Sequence, residues 1–351
     1  MGDPTLRDLA PEHRLRRLEL TVARRLDGLL HGQHQGLLPG AGSEFAGSRE
    51  YRPGEDEVRR MDWAVTARTM TPHVREVDAD RELSTWLLVD ASPSMDFGTA
   101  DLEKRELAVA AVAAVGFLTA GAGNRLGAYL AGADQVRRFP ARTGRNHLLN
   151  LLRALMAAPR GDTDVGAPGA AGPEARGDGR LPAWAAAGRP PTPGPGLAGA
   201  IESLRRALTR RGLVVVVSDF LDGLPDSDLT APSWERPLRR MASRHQVLAV
   251  EVTDPRELEL PDVGLITLVD PETGQRREVS TGDPRLRERF AAASIEQRQL
   301  VGAAIRRAGA AHLSLRTDRD WAADIVRHVH GQRRLAGAVR GRSRAELGGG
   351  V

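Results

Sequence analysis

Two short apolar runs that each close on an aspartate constrain this chain more than any other feature. Leu83 to Val89 ends in Asp90, and Leu213 to Val217 ends in Ser218 and Asp219. Both are too short and too continuously apolar to be amphipathic helices. They suit strands buried on both faces, as in a parallel sheet covered by helices. The chain around them alternates accordingly. A helix is predicted over 101–121, strands over 125–131 and 135–139, and a leucine-rich helix over 146–157. Leu197, Ile201, Leu204 and Leu208 mark another helix, followed beyond the valine run by a helix near 232–243 and a strand over 246–252. A hairpin over 264–279 turning at Glu272, Thr273 and Gly274, a helix over 284–308, a strand over 312–315 and a helix from about 320 complete the pattern. Such alternation predicts an α/β fold with a doubly wound, mostly parallel sheet.

That domain is expected to span 83–330. Within it, 159–196 is rich in Gly, Pro and Ala without period, and reads as a mobile surface insertion. Residues 1–35 carry an amphipathic helix, with Leu15, Leu18, Val22, Leu26 and Leu29 on one side and arginines between them. Residues 36–82 form a charged extended segment, where Arg, Asp and Glu surround Tyr51 and Trp63 and predict a folded, ion-paired stretch. An Arg/Gly-rich tail over 331–351 is expected to fray.

Composition removes several function classes. The chain has no cysteine, which excludes disulfides, thiolate metal sites and cysteine nucleophiles. Of its 50 lysines and arginines only Lys104 is a lysine, and it lies in Glu103-Lys104-Arg105, so the chain has no phosphate-binding P-loop. A Gly-x-Ser-x-Gly elbow and a His-Glu-x-x-His pair are missing as well. A net charge of +4 with few interleaved aromatics argues against nucleic-acid binding. No apolar run approaches the ~20 residues that span a bilayer, and the expectation is a cytoplasmic protein without membrane contact.

The chemistry-bearing residues sit where the two strands end. Asp90, Ser92 and Ser94 place three hard oxygen donors at alternate positions, and Pro93 biases Ser92 toward extended backbone. A magnesium or manganese ion accepts such donors, and Asp219 at a second strand end could share it. The same Asp, Ser and Pro residues also suit a helix start, and an apolar run follows from Leu102.

Arg49-Glu50-Tyr51, Pro53-Gly54, Arg59-Arg60-Met61-Asp62-Trp63 and Ala67-Arg68, followed by Asp90-Ala91-Ser92-Pro93-Ser94-Met95, resemble a bacterial family, domain of unknown function fifty-eight. That family looks like a von Willebrand factor A domain, and its genes typically neighbour MoxR-type AAA+ ATPases. The resemblance covers about residues 36–330. It implies that Asp90, Ser92 and Ser94 form the first metal-ligand loop and Asp219 belongs to a later one. Where relatives often supply a threonine ligand, this chain reads Pro193-Gly194-Pro195-Gly196, with only Thr192 close by. The function so implied is a non-enzymatic, metal-dependent protein-interaction module, an adaptor or co-chaperone of a MoxR-type ATPase. Its partner would be that ATPase or a client protein offering an acidic residue. The alternative is a metal-dependent hydrolase using Asp90.

Overall fold

The computed structural model describes residues 16, 20–22, 24, 45–51, 61–77, 84–100, 102–119, 124–132, 135–158, 195–225, 231–269 and 276–332. The predicted insertion, apart from Pro195 and Gly196, lies outside the described residues, as does the tail beyond 332. So do most of the amino-terminal helix and the turn at Glu272 to Gly274.

The first strand, β1 (Phe45–Glu50), pairs antiparallel with β2 (His73–Val77) in a two-stranded sheet. Between them lies α1 (Trp63–Thr69), whose amino terminus is capped by Asp62. That carboxylate accepts the backbone N–H groups of Ala64 and Val65, both at 3.2 Å. The described part of the charged segment, 45–51 and 61–77, is therefore folded. Its aromatic Trp63, however, stands exposed rather than serving as an anchor.

The central sheet begins with β3 (Ser84–Ala91), and α2 (Lys104–Thr119) follows it. Next come β4 (Arg125–Gly132), β5 (Val136–Arg142), α3 (Arg145–Met156), α4 (Gly196–Ala207), β6 (Leu213–Ser218), α5 (Glu235–Ala242) and β7 (Gln246–Thr253). A separate antiparallel hairpin, β8 (Leu265–Val269) with β9 (Arg276–Ser280), precedes α6 (Pro284–Arg307) and β10 (Ala311–Arg316), and a last helix, α7, occupies 321–332. The sheet order is β10-β7-β6-β3-β4-β5, parallel except for β5, which runs antiparallel to β4.

The apolar runs behave as predicted because their alternate side chains serve opposite faces. Leu87, Val89, Val215 and Val217 join a core with α2, α3 and α7. Leu88, Val214 and Val216 join a second core with α4, α5 and α6. Every residue of β6 is buried, and each such valine contributes roughly 1.5–3 kcal/mol by leaving water. Val22, one of the few described residues of the amino-terminal segment, is buried in the first core.

Strand order reverses between β3 and β6. Chain connections leave β3 toward β4 on one side, while β6 continues to β7 on the other. That reversal opens a crevice at the carboxyl edge, where ligands of open α/β sheets bind.

Candidate functional site

Asp90 and Asp219 close the two strands that flank this crevice, and the backbone just beyond each strand is tightly specified. Ser92 is extended, with φ −61° and ψ 160°, as the residue before a proline favours. Pro93 to Asp96 then make a single 3-10 turn, held by the Met95 N–H donating to the Ser92 carbonyl at 3.0 Å and by the fully buried Met95 side chain. The helix-start reading is thus partly realised: a short turn forms, and α2 begins only at Lys104. On the other strand Phe220 adopts φ 57°, a left-handed conformation costly for a bulky residue. Its ring is fully buried edge-to-face against Trp234, with centroids 5.1 Å apart, which holds it there.

The four residues singled out in the sequence do converge. The Asp90 carboxylate accepts the Ser92 N–H at 2.9 Å and the Ser218 hydroxyl at 2.6 Å. The hydroxyls of Ser92 and Ser94 lie 3.0 Å apart, and Ser94 also hydrogen-bonds Asp219. Burial pushes the Asp90 carboxyl up to about 6, helped by the negative charge of Asp219 and opposed by the hydrogen bonds from Ser218 and Ser92.

Sequence reasoning missed the group that dominates the crevice. The Lys104 ammonium, on the first turn of α2, is 1% exposed. It donates to Asp219 Oδ2 at 2.8 Å and to Glu257 Oε1. Burial alone would lower the Lys104 pKa and raise that of Asp219. Their mutual attraction, with Glu257 added on the lysine side, reverses both shifts, so the pair stays ionised. Glu257 belongs to a 3-10 turn after β7, where Asp254 and Glu257 form a capping box. Arg298 of α6 ties the rest together. It donates to Glu257 at 3.0 Å, to Glu251 at 3.2 Å and to the Asp219 carbonyl at 3.0 Å, while His312 lies 2.8 Å from Glu251. Asp254, fully buried, accepts from the Thr99 N–H and hydroxyl, the Thr317 hydroxyl and the Arg256 N–H. The available signal was the lone lysine in an arginine-rich chain.

The donor set does not fit a divalent ion while Lys104 is in place. Asp219 already has one oxygen on the ammonium and the other on the Leu221 N–H at 3.1 Å. An ion of charge +2 held about 4 Å from the ammonium would be repelled by about 8 kcal/mol at an effective dielectric constant of 20. Thr192 lies outside the described residues, which resume at Pro195. Leu197 N–H, at the start of α4, donates to Asp222 at 2.6 Å, and Pro195 has no hydroxyl to offer. Among the described residues no three acidic or imidazole side chains form a metal-holding cluster.

Open cavities of about 640 and 340 Å³ lie elsewhere, the first beside Tyr129, Arg138 and Glu202, the second at the amino end of β3 beside Ser84, Trp86 and Arg125.

Fold and site together define a doubly wound α/β domain whose polar constellation lies at the topological switch point. Residues 47–300 match the model of the protein family of unknown function DUF58. An uncharacterized protein of Mycobacterium tuberculosis, Rv1480, is 53% identical over 327 residues, which is 93% of this chain and 90% of that one. The chain belongs to this family. Among solved structures, an aerotolerance-related membrane protein from Bacteroides fragilis overlaps 71% of this chain and 99% of its own at 13% identity and a TM-score of 0.39. The SpRpn10 VWA domain overlaps 70% and 94%, at 11% identity and a TM-score of 0.32. Overlaps at this level fix neither a ligand nor a partner. Among the described residues no helix is long and apolar enough to cross a membrane.

Proposed function

We propose that the chain is a non-enzymatic protein-interaction module, with its contact face at the carboxyl edge between β3 and β6, and that it acts as an adaptor for a MoxR-type AAA+ ATPase. One observation carries the reading: partly exposed hydroxyls and an exposed aromatic ring sit at the switch point beside a buried ion network. Ser92 and Ser94 are partly exposed and Phe97 is 41% exposed, all directly above an ion network closed within the protein. A half-exposed aromatic beside fixed hydroxyls is the anchor type that protein interfaces favour. The ATPase partnership is supported by the family resemblance.

An ion-bridged contact, in which magnesium or manganese recruits a partner's acidic residue, has the convergence of Asp90, Ser92, Ser94 and Asp219 in its favour and the ammonium of Lys104 against it. Without an ion, a partner carboxylate would meet the exposed Asp222, whereas Asp90 and Asp219 are buried and Asp219 is already paired with Lys104. Hydrogen-bond donors of the partner, arginine or lysine above all, suit this face better. Hydrolysis through Asp90 has less support. Its own hydrogen bonds run to Ser92 and Ser218, while Lys104 is committed to Asp219 and Glu257.

The test is a calorimetric titration of the purified chain with a MoxR-type ATPase encoded in the same genome. Phe97→Asp is expected to weaken binding by at least tenfold, roughly 1.4 kcal/mol. Undiminished affinity for Phe97→Asp and for Ser92→Ala/Ser94→Ala would remove the contact from this edge.

A further inference from the structure

We propose that the Lys104 ammonium takes the place of a divalent cation at this site, so that the face is assembled and held without magnesium or manganese. The first observation is positional. Lys104 is the only lysine among the 50 lysines and arginines of the chain, and among the described residues it is the cation that meets the Asp219 carboxylate at the crevice floor. A compact ammonium on a flexible stem can fill a hole shaped for an ion, whereas a planar guanidinium with a fixed fork of donors cannot. A chain that uses arginine everywhere else keeps lysine where the charge must act as a point.

The second observation is connectivity. The ammonium joins the ends of two neighbouring strands, β6 through Asp219 and β7 through Glu257, as a shared ion would. Its carrier, α2, follows directly on the Asp90 loop, since the Lys104 N–H donates to the Phe97 carbonyl at 2.9 Å. The Phe97 ring lies 6.0 Å from the ammonium. One side chain therefore links the Asp90 loop, Asp219 and the turn after β7. An exchangeable ion would do this only at sufficient concentration; a covalently attached one does it always.

The consequence for the proposed contact, which rests on the interaction reading, is that partner binding is indifferent to chelator. The cation substitution itself is tested on the protein alone, so its failure is distinguishable from failure of the interaction reading. Wild type, Lys104→Ala, Lys104→Ala/Asp219→Asn and Asp219→Asn are melted in chelator and in about 10 mM magnesium or manganese, where an ion of millimolar affinity raises the midpoint by a few degrees. Wild type is expected to melt at the same temperature in all three conditions. Lys104→Ala is expected to melt lower in chelator and to recover part of the loss with either ion, and the double variant is expected not to respond. Two results would overturn the proposal: a metal-induced rise in wild type that Asp219→Asn abolishes, or a folded Lys104→Ala that ignores both ions. If Lys104→Ala fails to fold, manganese binding to wild type by electron paramagnetic resonance decides alone. No bound ion at stoichiometric protein supports the substitution, and one bound ion that Asp219→Asn removes refutes it.

Discussion

Replacing Lys104 with methionine isolates the charge from the packing, because methionine keeps an unbranched stem of similar length and removes only the ammonium. Asp219, 1% exposed, would then keep its Leu221 N–H but lose its cation, and Glu257 would retain Arg298. Breaking a buried pair from one side costs about 3–5 kcal/mol, because the remaining charge is left in a poorly solvating interior. That is a large share of the roughly 5–15 kcal/mol that holds a domain together, and at roughly 2–4 °C per kcal/mol the midpoint should drop by about 10 °C. The pH dependence sharpens the test. In wild type the Asp219 carboxyl is held below its ordinary 3.8. Its contribution is complete above that value and is lost as pH falls through the lower folded-state value. In Lys104→Met, burial and the neighbouring Asp90 charge both push Asp219 upward, so the deficit should be largest at pH 8 and shrink on acidification. Urea unfolding followed by tryptophan fluorescence at pH 8 and pH 5 measures both quantities. Adding Asp219→Asn should restore part of the stability, since neutralising the second partner removes the stranded charge. A Lys104→Met protein within about 1 kcal/mol of wild type at pH 8 would show that the pair does not carry this energy.

Asp90→Asn should act in the opposite sense. The folded-state value of about 6 exceeds the ordinary 3.8, so ionising Asp90 costs stability as pH rises between those values, by about 3 kcal/mol in total. The asparagine variant should therefore gain on wild type from pH 4 to pH 7 in a difference profile of urea midpoints, and a flat difference would refute the shift. Gly212→Ala should destabilise by about 1–3 kcal/mol, because its new methyl group would run into the backbone carbonyl oxygen of Ser84 between β3 and β6. Unchanged urea and thermal midpoints would show that the two strands can separate there at no cost.

Much of the architecture was legible before any coordinate. Strands β3 and β6 fall where the apolar runs lie, and α6 falls at Pro284–Arg307 against an expected 284–308. Those runs are self-reporting, because a strand buried on both faces must be apolar at every position. The elements of the charged segment were not legible. The β1–β2 pairing joins residues more than twenty positions apart through backbone hydrogen bonds that carry no side-chain periodicity. The short α1 buries no residue, so it has no apolar stripe to show.

The site divides in the same way. Asp90, Ser92 and Ser94 are neighbours in sequence, and their oxygens converge because one short turn holds them, so a local motif was enough to find them. Asp219 needed one further step, the idea that two strand ends share an edge. Lys104 meets partners 115 and 153 positions away, and Arg298 reaches Asp219 from 79 positions away. Sequence alone determined which residues carry charge at the ends of the strands. Only tertiary structure decided which cation faces which carboxylate, because an ion pair is specified by distance and burial, and both arise when α2 and α6 pack against the finished sheet.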